Sequence, residues 1–228
     1  MRRPLMFVLL AGALPGLARA DPYWVAYEGD DYPENDGWIR RVLGGGADRS
    51  LEDGVFTINS LGSPEIVDSY RIERKIDPDP GELFVAEWRL RIAQNLNHYE
   101  AGFGIAPDNP ATLTFRYELD RMWSTREDWS IEIAPLVFHT YRVESSDMLT
   151  YRLWMDGVMV HDGEFDTVSF NQSFVAFGDS GQFGGTGSLT EWDYVRFGVV
   201  PEPSAGCLCF ATVACFYLTD KASRKAKS

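Results

Sequence analysis

The feature that most constrains this chain is an alternation of apolar and polar residues, repeated in short runs from Trp38 to Phe197 and broken by turn residues. Successive side chains on a strand point to opposite faces, so such runs make half-buried strands. Phe84, Ala86, Trp88, Leu90 and Ile92 share one face, and Glu87, Arg89 and Arg91 the other. Tyr99, Ala101, Phe103 and Ile105 repeat the pattern, as do Leu113, Phe115, Tyr117 and Leu119. Asp156-Gly157 has the chemistry of a two-residue hairpin, and Asp77-Pro78-Asp79-Pro80-Gly81 breaks a ladder before a new strand. About a dozen short strands at near-regular spacing, with no long helical pattern, predict an all-β, two-sheet antiparallel sandwich. No self-similar blade recurs, which argues against a propeller.

The two ends of the 228-residue chain have a different character. Arg2 and Arg3, the apolar run Leu5 to Leu14, and Ala18-Arg19-Ala20 read as a secretory signal helix cleaved after Ala20. At the other end Pro201-Glu202-Pro203 precedes an apolar run, Ser204 to Leu218, and then Lys221, Arg224, Lys225 and Lys227. An apolar stretch closed by cations is a stop-transfer pattern. This tail resembles the PEP-CTERM sorting signal of Gram-negative bacteria. The resemblance implies a hydrophobic C-terminal helix, transient anchoring in the inner membrane, processing by an exosortase, and delivery to the envelope or extracellular matrix. The apolar run is shorter than the roughly 20 residues a membrane-spanning helix needs. The expected organisation is therefore a signal peptide at 1–20, a β-sandwich domain at 21–199 and a sorting tail at 200–228.

The three cysteines, Cys207, Cys209 and Cys215, all fall in the tail. The body must fold without disulfides and has no thiol nucleophile. Residues 21–200 hold 32 acidic against 14 basic side chains, a net charge of −18. That surface repels nucleic-acid backbones and attracts cations, Ca²⁺ among them. No cofactor is expected from any motif.

Phe138 to Arg142, then Tyr151-Arg152-Leu153-Trp154-Met155-Asp156-Gly157, then Trp192 to Phe197 look like the second half of a concanavalin A-like lectin/glucanase (laminin-G-like) jelly roll. The resemblance runs over about residues 80–198 and implies a curved sandwich whose concave sheet often binds glycans. Glucanases of this fold carry a Glu-apolar-Asp-apolar-x-Glu strand. Glu118-Leu119-Asp120 begins that way, but Arg121, Met122 and Trp123 follow, and Glu127 is too far along to share the strand. With the third carboxylate missing, the sequence predicts a non-catalytic protein with no metal site. Glycan or exopolysaccharide binding is assigned to some of Trp123, Trp154, Arg116, Glu118 and Asp179, because sugar sites pair aromatic platforms with carboxylates. The alternatives are a structural or adhesive matrix protein, and a glycoside-active enzyme.

Other features carry less. Glu28, Asp30 and Glu34 sit in a Pro- and Gly-containing loop, and Ser145-Ser146-Asp147 reads as a turn. His98, His139 and His161 lack metal-ligand spacing. The stretch from Gly178 to Gly187 is expected to be a loop carrying Asp179.

Overall fold

A computed structural model describes residues 23–61, 67–95, 101–107, 111–124, 128–167, 172–180 and 187–201. The signal segment, almost all of the sorting tail, Tyr99, Glu127, His98 and the centre of the Gly-rich stretch lie outside the described residues. The described chain is strand and turn, with one short 3-10 turn at Pro33–Asp36.

Eight strands build the first sheet: β1 (Tyr23–Tyr27), β3 (Asp48–Glu52), β4 (Val55–Asn59), β6 (Glu82–Asn95), β11 (His139–Ser145), β12 (Thr150–Met155), β13 (Val158–Glu164) and β15 (Ser188–Pro201). Seven build the second: β2 (Ile39–Leu43), β5 (Val67–Glu73), β7 (Ala101–Ala106), β8 (Leu113–Tyr117), β9 (Arg121–Ser124), β10 (Ser130–Glu132) and β14 (Phe174–Ser180). The orders are β13-β12-β11-β6-β15-β4-β3 and β10-β9-β8-β7-β14-β5-β2, every pair antiparallel. The 14-residue β15 pairs with β6 along its length. Its other edge is shared, first with β4 and then with β1. The expected two-sheet jelly-roll sandwich is the observed fold.

The inner faces are aromatic. Trp88 of β6 stacks on Phe103 of the opposite sheet with ring centroids 3.7 Å apart, and its indole N–H donates to the Tyr117 hydroxyl at 2.7 Å. Tyr27, Tyr70, Phe177 and Trp192 form a second group between the sheets. Pairing the buried indole with the buried phenol leaves neither polar group stranded, so the core can be both aromatic and dry. Burial raises the Tyr117 phenol well above its ordinary pKa; neighbouring Tyr141 adds to this, and the Trp88 bond opposes it.

Candidate functional site

The outer face of the second sheet is set by what its middle strands lack. On β7 and β14 the inward positions are Ala101, Phe103, Ile105, Val175 and Phe177. Alternation then turns Gly102, Gly104 and Ala176 outward, none of them carrying more than a methyl group. Gly104 pairs with Ala176, so these small residues form the floor of a shallow trough two strands wide, which the Arg116 side chain closes at Gly102. Two strand spacings make it roughly 10 Å across, enough to lay an extended polymer along the sheet.

One wall comes from β8, β9 and β10. Thr114, Arg116 and Glu118 follow one another on the outer side, Arg116 opposite Trp123 and Trp123 opposite Ser130. The Arg116 side chain lies over Gly102: a Cβ there would sit 3.0 Å from its Nη1. Glu118 ends this row. Its backbone N–H donates to the Arg121 carbonyl at 2.8 Å, and its carboxylate accepts two bonds from the Arg121 guanidinium, each 2.7 Å. Across β9, Arg121 faces Glu132 of β10. The wall thus presents an aromatic ring, two guanidiniums and two carboxylates. Arg71 stands on the other side of the trough, over the ring of Phe174.

Of the five residues proposed from sequence, the structure brings three together: Arg116, Glu118 and Trp123. The other two lie elsewhere. Trp154 is on the outer face of the first sheet, across from Arg142. Asp179 is not in a loop at all. It lies within β14 and is fully buried, accepting hydrogen bonds from the hydroxyls of Ser60 and, at 3.2 Å, Ser188. It therefore serves the join between the two sheets and cannot reach a surface ligand.

The strand expected to hold Glu118 and Asp120 side by side is also different. β8 stops at Tyr117, and Leu119-Asp120 form the tight turn into β9, with Leu119 exposed. The chain reverses before a second acid could follow on the same strand. The partner carboxylate on this face is instead Glu132 of β10. The alternation Trp129-Ser130-Ile131-Glu132-Ile133 marks its strand in the sequence, but nothing local says that only β9 separates this strand from Glu118. Gly102 and Gly104 were legible in principle, since they alternate with buried apolar residues in Ala101-Gly102-Phe103-Gly104-Ile105.

The remaining sequence candidates are structural. His139 is buried, with Nδ1 2.6 Å from Asp156 and Nε2 3.3 Å from the Ala134 carbonyl. Asp147 caps its own turn. Partial desolvation raises its pKa, but bonds from the Thr150 and Leu149 N–H groups and from hydroxyls outweigh this and leave it lowered. Among the described residues no group of three or more His, Cys, Asp or Glu side chains is placed to hold a metal ion.

No protein-family model matches the chain, and no curated protein matches its sequence. Solved structures do match. β-Agarase A from Zobellia galactanivorans superposes with a TM-score of 0.57 at 12% identity, over 78% of this chain and 91% of that one. The β-glucanase of Bacillus licheniformis gives 0.52 at 13% identity, over 76% and 96%. An endo-1,3-β-glucanase from Streptomyces sioyaensis gives 0.53 at 17% identity, over 73% and 90%. At these identities the likeness is one of fold. It nevertheless corrects the expectation of a non-catalytic binding or matrix protein: this architecture is shared with polysaccharide hydrolases. That expectation rested on an incomplete strand motif at 118–120, and the structure shows that these residues span a turn.

Proposed function

We propose that this protein is a glycoside hydrolase acting on an extended polysaccharide laid in the trough of the second sheet. The observation that carries the reading is the floor of small residues walled by Trp123, Arg116 and the Glu118–Arg121–Glu132 row, in a fold shared with a β-glucanase and a β-agarase. Trp123 offers a platform for the apolar face of a sugar ring. Glu118 and Glu132 stand two strands apart, about 9–10 Å between backbones by ordinary strand spacing. That is near the upper end of the roughly 6.5–9.5 Å at which two carboxyl groups leave room for a water and invert the anomeric centre. Glu118, oriented by Arg121, takes a proton from that water as it attacks the anomeric carbon. Glu132 gives a proton to the departing glycosidic oxygen, and two hydroxyl-terminated fragments result.

The test is release of reducing ends from laminarin, lichenan and agarose by the purified protein. Gly104→Leu supplies the control. A Cβ at Gly104 would meet nothing nearer than 3.9 Å, and its φ is not in the left-handed range, so the variant should fold while its side chain fills the trough. We expect the variant to lose at least roughly tenfold in activity, as a blocked subsite should. Absence of reducing ends on all three polymers with a folded protein would sink the reading.

We further propose that the protein is exported and that its tail is removed by an exosortase after transient membrane anchoring. Support comes from the ordered signal, Pro201-Glu202-Pro203 and basic segments of the sequence. Mass spectrometry of the protein recovered from the envelope should find a new C-terminus near Pro201. Recovery of the intact end at Ser228 would reject processing.

A further inference from the structure

The other sheet carries a cleft that the trough does not explain. It has a volume of about 620 Å³, within the range of roughly 300–1,000 Å³ typical of small-ligand sites, and lies at the free edge of the first sheet where β11, β12 and β13 end. Its geometry follows from one irregularity. Leu153 pairs with His161 but Trp154 with Met159, so Val160 is an extra residue that bulges β13. A bulge bends its strand and re-aims the side chains beside it. Here it separates an apolar row from a polar one on the same outer face. Trp154 and Met159 face each other in the first, and Met159 is 48% exposed. In the next, Glu144, Arg152 and Asp162 stand side by side on three neighbouring strands.

We propose that this cleft is a second saccharide-binding site, taking a short non-anionic oligosaccharide end-on at the sheet edge. A carboxylate–guanidinium–carboxylate row offers acceptors and donors at strand spacing to the hydroxyls of one sugar edge. Met159, which lines the cleft and faces the Trp154 indole across the strand pair, contacts an apolar ring face and makes that indole a reporter of occupancy. Glu144 is held in place by Arg142 at 2.9 Å and Arg152 at 3.3 Å. Asp162 and Glu164 add acceptors at the outer rim. Three carboxylates against one lining guanidinium give the cleft a net negative charge, which disfavours uronic acids and sulfated sugars. The lining is therefore suited to neutral sugars, or to ones bearing an ammonium group. The cleft and the trough are on opposite sheets, so a chain held in one does not compete for the other.

The proposal stands whether or not the trough cleaves, and the experiment separates the two. Calorimetry and indole NMR are run in the Glu118→Gln background, so that no probe is consumed, with cellotetraose, a glucosamine tetramer and a trigalacturonate. Two binding events per chain are expected for a non-anionic probe, one of them shifting the Trp154 indole signal, and none at the cleft for trigalacturonate. Arg152→Ala with Asp162→Ala, both exposed positions, should remove the Trp154-linked event or weaken it by roughly tenfold or more. Gly104→Leu should leave that event intact and remove the other. If Gly104→Leu changes nothing while the cleft event persists, the trough reading fails and the cleft survives. An unshifted Trp154 signal with every probe, or unchanged binding in the double variant, overturns the cleft.

Discussion

Replacing Trp88 with alanine is expected to destabilise the domain by about 3–5 kcal/mol through the cavity alone. The ring is fully buried, stacked on Phe103 and within 5.7 Å of both Phe115 and Tyr141, so no neighbour can collapse into the gap without leaving its own partners. The variant also strips the Tyr117 hydroxyl of its donor inside a dry core, which adds a penalty of about 1–3 kcal/mol. For a domain of this size the melting temperature should fall by about 10 °C or more. Trp88→Phe separates the two contributions, since it keeps most of the ring and loses the N–H. Trp24→Ala is the control: that ring is 36% exposed beneath Arg74 and should shift the urea midpoint little. Equal losses for Trp88→Ala and Trp24→Ala would mean that the two sheets are not held together in the way described.

That core was readable from the sequence because burial and period coincide in it. Phe84, Ala86, Trp88, Leu90 and Ile92 alternate without a break and all are buried. Asp156-Gly157 also announced itself, because both residues adopt the positive φ that their turn demands (50° and 80°). Leu119-Asp120 did not. Neither residue has a positive φ, and the period of Leu113, Phe115 and Tyr117 runs on through Leu119 as if the strand continued. A turn made from ordinary residues is invisible to local pattern. Asp179 misled for the opposite reason. Its glycine neighbours spoke for a loop, whereas Val175, Phe177 and Asp179 continue an inward face. What makes a buried carboxylate tolerable there is Ser60, 119 residues away, with Ser188 beside it. Partners at that separation meet only through topology. The same holds for Trp123 and Trp154, which look equivalent as outward residues and fall on opposite sheets.

Topology also assembles the proposed acid pair, and Glu118→Gln and Glu132→Gln should each lower kcat by about 10²–10⁴-fold. The two losses should differ in kind. Glu132 is assigned to protonate the leaving oxygen, a service that matters only when the leaving group is a poor one. With a 4-nitrophenyl glycoside, whose phenolate departs unaided, Glu132→Gln should regain most of its rate. Glu118→Gln should not, because the water still lacks its base. Arg121→Ala tests the orienting bonds: it should lower kcat less than Glu118→Gln does, because it removes the two bonds that hold the Glu118 carboxylate and leaves the carboxylate itself in place. Product released from a soluble β-glucan should appear first as the α-anomer by NMR, the outcome expected of two carboxylates set widely enough apart to hold a water. Retention of the β-configuration, or full activity in both glutamine variants, would place the chemistry on other carboxylates.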